Sequence, residues 1–370
     1  MRVSANDKVN VAVIGLGWPG QRHLDGYAAT PFVHVGAICD MSDDLLTGTR
    51  TARGVERAVH HYEDVLAMPE IDAVSVCLPN WLHVPVSIAA IGAGKHVLCE
   101  KPLANTLAEG ERIAAAVHAS DRIFMLALNN RFRVEIQALK RIVDAGTLGE
   151  VYYARAGWTR RKWAGLSGWF TDKAKSGGGP LIDLGVHMLD LTLWLMGSPR
   201  ATRVSGAVYD RLARELHPSG TFDVEDLAAA MIHLDNGAAI ALETSWMSYT
   251  EREYIYSELL GTQGGAKFER GNNRNDAGLG DMPPFQLFTS LAGEPVNAEP
   301  VDIALSPMDR LLASFANETR HFAECVRDGT PPIATVDQGL EILRILDAIY
   351  RSATEGREIT ISRQEIVGSR

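Results

Sequence analysis

Five short apolar runs, each followed by a helix-like or loop-like stretch, occupy the first 130 or so residues, and this alternation constrains the fold more than any other feature. The runs cover residues 9–15, 33–40, 73–78, 96–100 and 123–128 and are nearly continuous in Val, Ile, Leu, Ala and Cys. A strand with one wet face alternates apolar and polar residues. An unbroken apolar run marks a strand covered on both faces, as in a parallel sheet. Helical patterns over residues 84–93 and 105–120 supply covering layers. Strands that alternate with helices in this way imply right-handed crossovers and a doubly wound, parallel α/β sheet.

The pattern changes after about Glu150. Residues 226–234 and 238–246 alternate and are joined by Asp235-Asn236-Gly237, a hairpin signal. Residues 254–261 and 266–269 flank a second turn, Gly-Thr-Gln-Gly-Gly. Two helices are expected at the end, over residues 309–327 and 335–354, and the Gly-, Asn- and Pro-rich stretch 271–300 reads as a loop. The expectation is a first domain over 1–128 and a second over 129–370, the latter an α/β domain with a large, mostly antiparallel open sheet. An exposed sheet face needs a cover, which points to pairing with a second subunit. A length of 370 residues suits two domains at roughly 150 residues each.

The net charge of −10, with no basic block, argues against nucleic acid or an anionic membrane as a partner. The four cysteines, Cys39, Cys77, Cys99 and Cys325, form no CxxC pair and read as thiols in a reducing compartment, not as a disulfide frame or a zinc site. The N-terminal stretch lacks the long apolar core of a signal peptide, and no run approaches the roughly 20 apolar residues of a membrane helix. A cytoplasmic protein without a metal is expected.

Gly15-Leu16-Gly17-Trp18-Pro19-Gly20 follows the first strand and opens a helix. In that context a GxGxxG motif binds a dinucleotide. The first glycine permits the turn, the second lets the pyrophosphate approach the backbone, and the third lets helix and strand pack closely. The helix N-terminus then offers free N–H groups to the phosphates. Asp40 ends the second strand, 20 residues beyond Gly20, where an acid bonds the adenosine ribose hydroxyls and repels a 2′-phosphate. NAD is therefore expected rather than NADP. Leu78-Pro79-Asn80 and His83 follow a further strand, at the edge where ligands sit. Asn80 either touches the cofactor or caps a helix starting near Leu82, with Pro85 in its first turn. Glu100 and Asn129, at the ends of later strands, join the cofactor-side set.

Glu100-Lys101-Pro102 places an ammonium group at the mouth of the sheet. There it either hydrogen-bonds a substrate oxygen as charge develops or is an ordinary surface lysine. Gly177-Gly178-Gly179-Pro180 precedes an apolar helix on which Asp183, His187 and Asp190 recur at spacings of four and three. A polar stripe on a buried helix is either hydrogen-bonded internally or faces a cleft. The first reading is a structural Asp–His contact. The second is an acid–base pair in which His187 shuttles an alcohol proton and Asp183 either orients it or bonds the substrate. Tyr152, Arg160, Trp163 and Trp169 are candidates for a substrate wall, each with an alternative place in a core or interface.

Through GLGWPG (15–20), LPNWLH (78–83), CEKP (99–102) and GGGPLIDLGVHMLD (177–190), the sequence resembles the Gfo/Idh/MocA oxidoreductases over nearly its whole length. The resemblance implies a Rossmann domain, then an α/β domain whose open sheet mediates a homodimer or homotetramer. It also implies hydride transfer between nicotinamide and a secondary hydroxyl or ketone of a sugar, inositol or related polyol. Lys101, Asp183 and His187 match the family's catalytic positions, and either Lys101 or His187 is then the base. Two rival activities stand beside that of a dehydrogenase: an NAD-dependent glycosidase of related fold, and a sugar sensor that binds dinucleotide without turnover, against which the intact Lys101, Asp183 and His187 argue.

Overall fold

A computed structural model describes residues 8–161, 168–216, 222–270, 284–300 and 305–362. These fall into two compact units. The first draws on Met1–Ala138, Asp172–Gly177 and Asp302–Leu340, the second on Leu139–Thr171, Gly178–Val301 and Glu341–Arg370.

The first unit holds a sheet of six strands: β1 (Val9–Ile14), β2 (Val33–Cys39), β3 (Arg57–Val59), β4 (Ala73–Val76), β5 (His96–Glu100) and β6 (Phe124–Ala127). Their order is β3-β2-β1-β4-β5-β6, and every pairing is parallel. Each apolar run of the sequence is one of these strands. Val11, Ala12 and Val13 of β1 and Ala73 and Val74 of β4 are wholly buried, as helices on both faces require. β3 has no counterpart among the runs, because it is a three-residue, part-exposed edge strand. Strand order reverses between β1 and β4, and doubly wound sheets bind ligands beyond the carboxyl ends of their strands at such a point. The Pro307–Asp328 helix packs tightly on the Trp18–Ala28 helix. A Cβ added at Gly26 would lie 2.2 Å from Thr319 Oγ1.

The β5–β6 pairing contains an acid-sensitive contact. The backbone N–H of Ile123 donates to His96 Nδ1 at 2.8 Å, so this nitrogen must stay unprotonated. Burial, then the Arg122 charge, push the His96 pKa down from 6.5 to about 4. A depressed histidine pKa means that the unfolded chain takes up the proton first. The contribution to stability is whole above pH 6.5 and is lost as pH falls toward about 4. His96→Asn keeps an acceptor that does not titrate. The expected result is a smaller fall in Tm between neutral pH and about pH 4 for the variant than for the parent, read by thermal melts at both.

The second unit holds a sheet of nine strands: β7 (Val151–Arg161), β8 (Ala201–Tyr209), β9 (Leu227–Leu234), β10 (Ala239–Ser248), β11 (Tyr254–Gly261), β12 (Gly265–Arg270), β13 (Gln286–Leu291), β14 (Glu294–Ala298) and β15 (Ile359–Thr360). The order is β14-β13-β12-β11-β7-β10-β9-β8-β15. Only β7 and β10 run parallel; the other pairings are antiparallel. The Asp235-Asn236-Gly237 turn joins β9 to β10 as expected, with Gly237 at φ +87°. The expected loop over 271–300 is corrected in part. Residues 271–283 lie outside the described residues, and β13 and β14 form a hairpin beyond them. On one sheet face the Val186–Leu195 helix lies over β7 and β11, above the wholly buried Ala154 and Ala156. The opposite face presents Arg155, Ala229, Met231, Ala241, Glu243 and Tyr256 along a shallow groove. No described helix is long and apolar enough to cross a membrane.

Candidate active site

The three glycines of the first loop meet three different physical demands. Gly15 sits at φ +94°, and a Cβ there would lie 2.2 Å from the Cys77 carbonyl oxygen. A Cβ on Gly20 would lie 2.0 Å from the Gly15 oxygen, so the helix packs on the loop without room for a methyl. At Gly17 a Cβ would meet nothing within 4 Å. Gly17 and Trp18 are exposed, and no described side chain caps the Trp18–Ala28 helix. The Gly15 N–H donates to the Cys39 carbonyl, the Leu16 N–H donates to Asp40, and Pro19 has none, so the amides of Gly17, Trp18 and Gly20 are the donors open to a phosphate. This cradle fits a dinucleotide pyrophosphate: two glycines are required by the protein itself, and the third leaves space outside it.

Asp40 does more than mark the strand end. Its Oδ2 accepts the Leu16 N–H at 2.7 Å and its Oδ1 accepts the Ser42 N–H at 2.9 Å, so it anchors the glycine loop from the end of β2. A carboxylate has about four lone-pair sites, which leaves capacity for ribose hydroxyls. Gln21 braces the same loop by donating to the Leu16 carbonyl at 3.2 Å.

At the ends of β4 and β5 the sequence candidates are tied to one another. His83 is fully buried, with Nδ1 2.7 Å from the Pro102 carbonyl and Nε2 2.7 Å from the Leu78 carbonyl. Burial pushes its pKa down, and the carbonyl contacts oppose the shift. It braces the Leu78-Pro79 loop against the loop of Lys101. The capping role considered for Asn80 is corrected. The helix begins at Asn80 itself, two residues early, behind Pro79, and Pro85 falls inside it. The Asn80 amide instead donates to the Ser176 carbonyl at 2.7 Å. Asn129 opens a 3-10 turn and donates to Ser314 Oγ at 3.3 Å.

Glu100 is buried behind Lys101 and accepts the Lys101 backbone N–H at 3.1 Å. Its Oε1 lies 3.3 Å from Nε2 of the buried His23. Burial pushes the Glu100 carboxyl up, but His23, Lys101 and His83 outweigh it and hold the pKa below its usual value. The Lys101 backbone is thus fixed to a buried charged network, while its side chain remains part-exposed.

In the second unit, Asp183 lies in a π-helical turn, Leu181–Gly185, that leads into the Val186–Leu195 helix. Such turns occur often at functional sites. Asp183 and His187 are half-buried, whereas Asp190 is buried. Trp246 of β10 donates its indole N–H to Asp183 Oδ2 at 3.0 Å. The His187 ring lies 5.8 Å from the Trp158 ring of β7. Trp158 in turn donates to Glu253 Oε1 at 2.7 Å, and the guanidinium groups of Arg160 and Arg270 lie 5.3 and 5.2 Å from its ring centre.

Arg160 therefore shares its surroundings with Trp158 and, through it, with His187. Tyr152 does not: it stands six residues back along β7, about 20 Å away at 3.3 Å per residue. It is 51% exposed, at the far end of the strand. Trp169 stacks on Phe170, with ring centres 3.9 Å apart, and Phe170 packs against Leu184, Val224, Trp246 and Met247. Trp163 lies outside the described residues. Trp158 and Trp246 were missed in the sequence. Period-2 alternation along β7 puts Trp158 on the face of Arg160 and was the available signal; nothing local marks Trp246.

The chain matches the oxidoreductase family, NAD-binding Rossmann fold, over residues 9–128, and the oxidoreductase family, C-terminal alpha/beta domain, over residues 140–361. It belongs to the Gfo/Idh/MocA family of oxidoreductases, and its first unit carries that family's NAD-binding Rossmann fold. A D-glucoside 3-dehydrogenase of Escherichia coli is 28% identical, covering 95% of this chain and 97% of the relative. A scyllo-inositol 2-dehydrogenase (NAD(+)) of Bacillus subtilis is 30% identical, covering 89% of each. A levoglucosan dehydrogenase in complex with NADH shares the fold, with a TM-score of 0.85 at 24% identity, covering 97% of this chain and 100% of the other.

Proposed function

We propose that this protein is an NAD-dependent dehydrogenase that interconverts a secondary hydroxyl and a ketone on a sugar, inositol or related polyol. The observation that carries the reading is the half-buried pair Asp183 and His187, set in a π-helical turn and the largely apolar helix that follows it. Water-exposed helices carry such residues freely, but a buried helix keeps them only where they work or are paired. The names of the relatives, which act on glucosides and inositols, supply the substrate class.

The cofactor, held by residues 15–20, Asp40 and the loops after β4 and β5, supplies the hydride acceptor. His187 takes the proton of the substrate hydroxyl, and Asp183, steadied by Trp246, orients it. Lys101 stabilises the charge that develops on the substrate oxygen. Asn80, His83, Glu100 and Asn129 shape the cofactor side, and Arg160 and Trp169 with Trp158 form the substrate wall. Asp40 favours NAD over NADP, since its carboxylate repels a 2′-phosphate. Self-association through the open face of the nine-stranded sheet fits its half-exposed alanines, Ala229 and Ala241, beside Met231. A cytoplasmic setting fits four buried free thiols.

The test is a screen of inositols, aldoses and aldonic acids with NAD and with NADP, following reduced nicotinamide by absorbance. Substrate-dependent reduction with NAD preferred is expected. Release of a glycoside's leaving group without net NADH would replace the reading with the glycosidase one. Sugar binding without turnover on any of these classes would replace it with a sensor.

A further inference from the structure

The glycine run before the catalytic helix is not accounted for by the cofactor or by the proton chemistry. Its surroundings explain it. A Cβ on Gly178 would lie 2.0 Å from the Tyr350 hydroxyl, and one on Gly179 would lie 2.0 Å from the Glu225 carbonyl oxygen and 3.1 Å from Glu225 Cδ. The two glycines therefore make room for one acidic and one phenolic side chain. Glu225 is 6% exposed. Its Oε2 accepts the Gly179 N–H at 2.9 Å, and its Oε1 accepts the Leu181 N–H at 3.0 Å. The Tyr350 hydroxyl donates to the same Oε1 at 3.0 Å.

We propose that Glu225, held in place by Tyr350, is a positioning residue for the reaction, fixing the start of the helix that carries Asp183 and His187. The opening turn of any helix leaves backbone N–H groups without intrahelical partners, and here they are buried. A carboxylate at that end satisfies them with charge-assisted bonds and complements the helix dipole. Both anchored amides lie within one turn of Asp183, whose own N–H donates to the Gly179 carbonyl at 3.1 Å. The π-helical geometry over Leu181–Gly185 sets where Asp183 and His187 point, and Glu225 grips the residue that opens it. Burial pushes the Glu225 carboxyl up, and the hydrogen bonds from Gly179, Leu181 and Tyr350 oppose it. Burial and then the Glu225 charge push the Tyr350 phenol well above its usual value, so it remains a donor throughout the neutral range.

The inference rests on the proposed dehydrogenase activity, so the parent enzyme is assayed first; a parent without sugar-dependent turnover removes that reading before Glu225 is tested. With an active parent, Glu225→Gln replaces one of the two acceptor oxygens with an amide that repels a backbone N–H. Tyr350→Phe removes only the supporting hydroxyl and is the milder change. Active sites are counted by NADH titration, and kcat, KM and the pH profile of kcat are measured per site. A misplacement of about 1 Å costs on the order of 100-fold in rate. The expected order of kcat is parent, then Tyr350→Phe down by several-fold, then Glu225→Gln down by 10- to 100-fold, with NADH affinity unchanged and the pH profile displaced. Glu225→Asp, which keeps the charge, recovers part of the loss. A merely structural role lowers Tm and the number of active sites but leaves kcat per site and its pH profile as in the parent, and that result overturns the proposal. If Glu225→Gln does not fold, Tyr350→Phe alone decides: kcat within twofold of the parent counts against it.

Discussion

Lys101→Met is expected to lower kcat by 10²–10⁴-fold, about 3–5 kcal/mol of transition-state stabilisation, while NADH affinity changes far less. Methionine keeps most of the apolar stem and removes the charge together with its hydrogen-bond donors. The Lys101 backbone is held by Glu100, so the loop keeps its course in the variant. Stopped-flow NADH binding and steady-state turnover on the best substrate of the screen give the two numbers. A variant that loses both in parallel would mean that Lys101 serves the cofactor alone. One that loses neither would mean an ordinary surface lysine.

The same measurement extends to His187→Asn. Groups that act together in one transition state are strongly non-additive. If Lys101 and His187 serve one reacting carbon, the double variant is only slightly slower than the slower single variant. Fully multiplicative losses would mean that the two contribute independently of one another.

What the sequence disclosed about this chain followed from how local each signal was. The glycine loop was legible because strand, turn and helix lie within 20 residues, and each glycine has its own role in that short span. Strands β1, β2, β4, β5 and β6 were legible because burial on both faces leaves unbroken apolar runs. β3 was not, being three residues at an edge. The β13–β14 hairpin was not, because its strand residues are all partly or fully exposed and its turn uses Ala292 at φ +53° beside Gly293, where Asn-Gly would have announced it. The candidate residues were legible where chemistry clusters, at Lys101 in the first unit and over Asp183–His187 in the second. The supports of the latter pair were not. Glu225 lies 46 residues from Gly179, and Tyr350 lies 125 from Glu225. A buried acid next to another acid, Asp226, reads in sequence as an ordinary loop end.

The glycines of the cradle separate stability from cofactor binding. Gly17 has φ −62° and ψ −169°, a conformation any residue adopts, and its Cβ position faces no protein atom within 4 Å. Gly17→Ala is therefore expected to fold with unchanged or slightly raised stability, since alanine narrows the unfolded ensemble by about 0.4–1 kcal/mol. The methyl stands where a pyrophosphate must approach the backbone. NADH binding weakens by tenfold or more, at about 1.4 kcal/mol per factor of ten. Gly20→Ala has the opposite character. Its methyl would lie 2.0 Å from the Gly15 oxygen, and backbone has little freedom to yield. Overpacking of this kind costs about 1–3 kcal/mol and lowers Tm before any ligand is added. Thermal melts without cofactor, set beside NADH fluorescence titrations, distinguish the two variants. Normal NADH affinity in a well-folded Gly17→Ala protein would mean that the dinucleotide does not lie across this loop, and the assignment of residues 15–20 to the pyrophosphate would have to be abandoned.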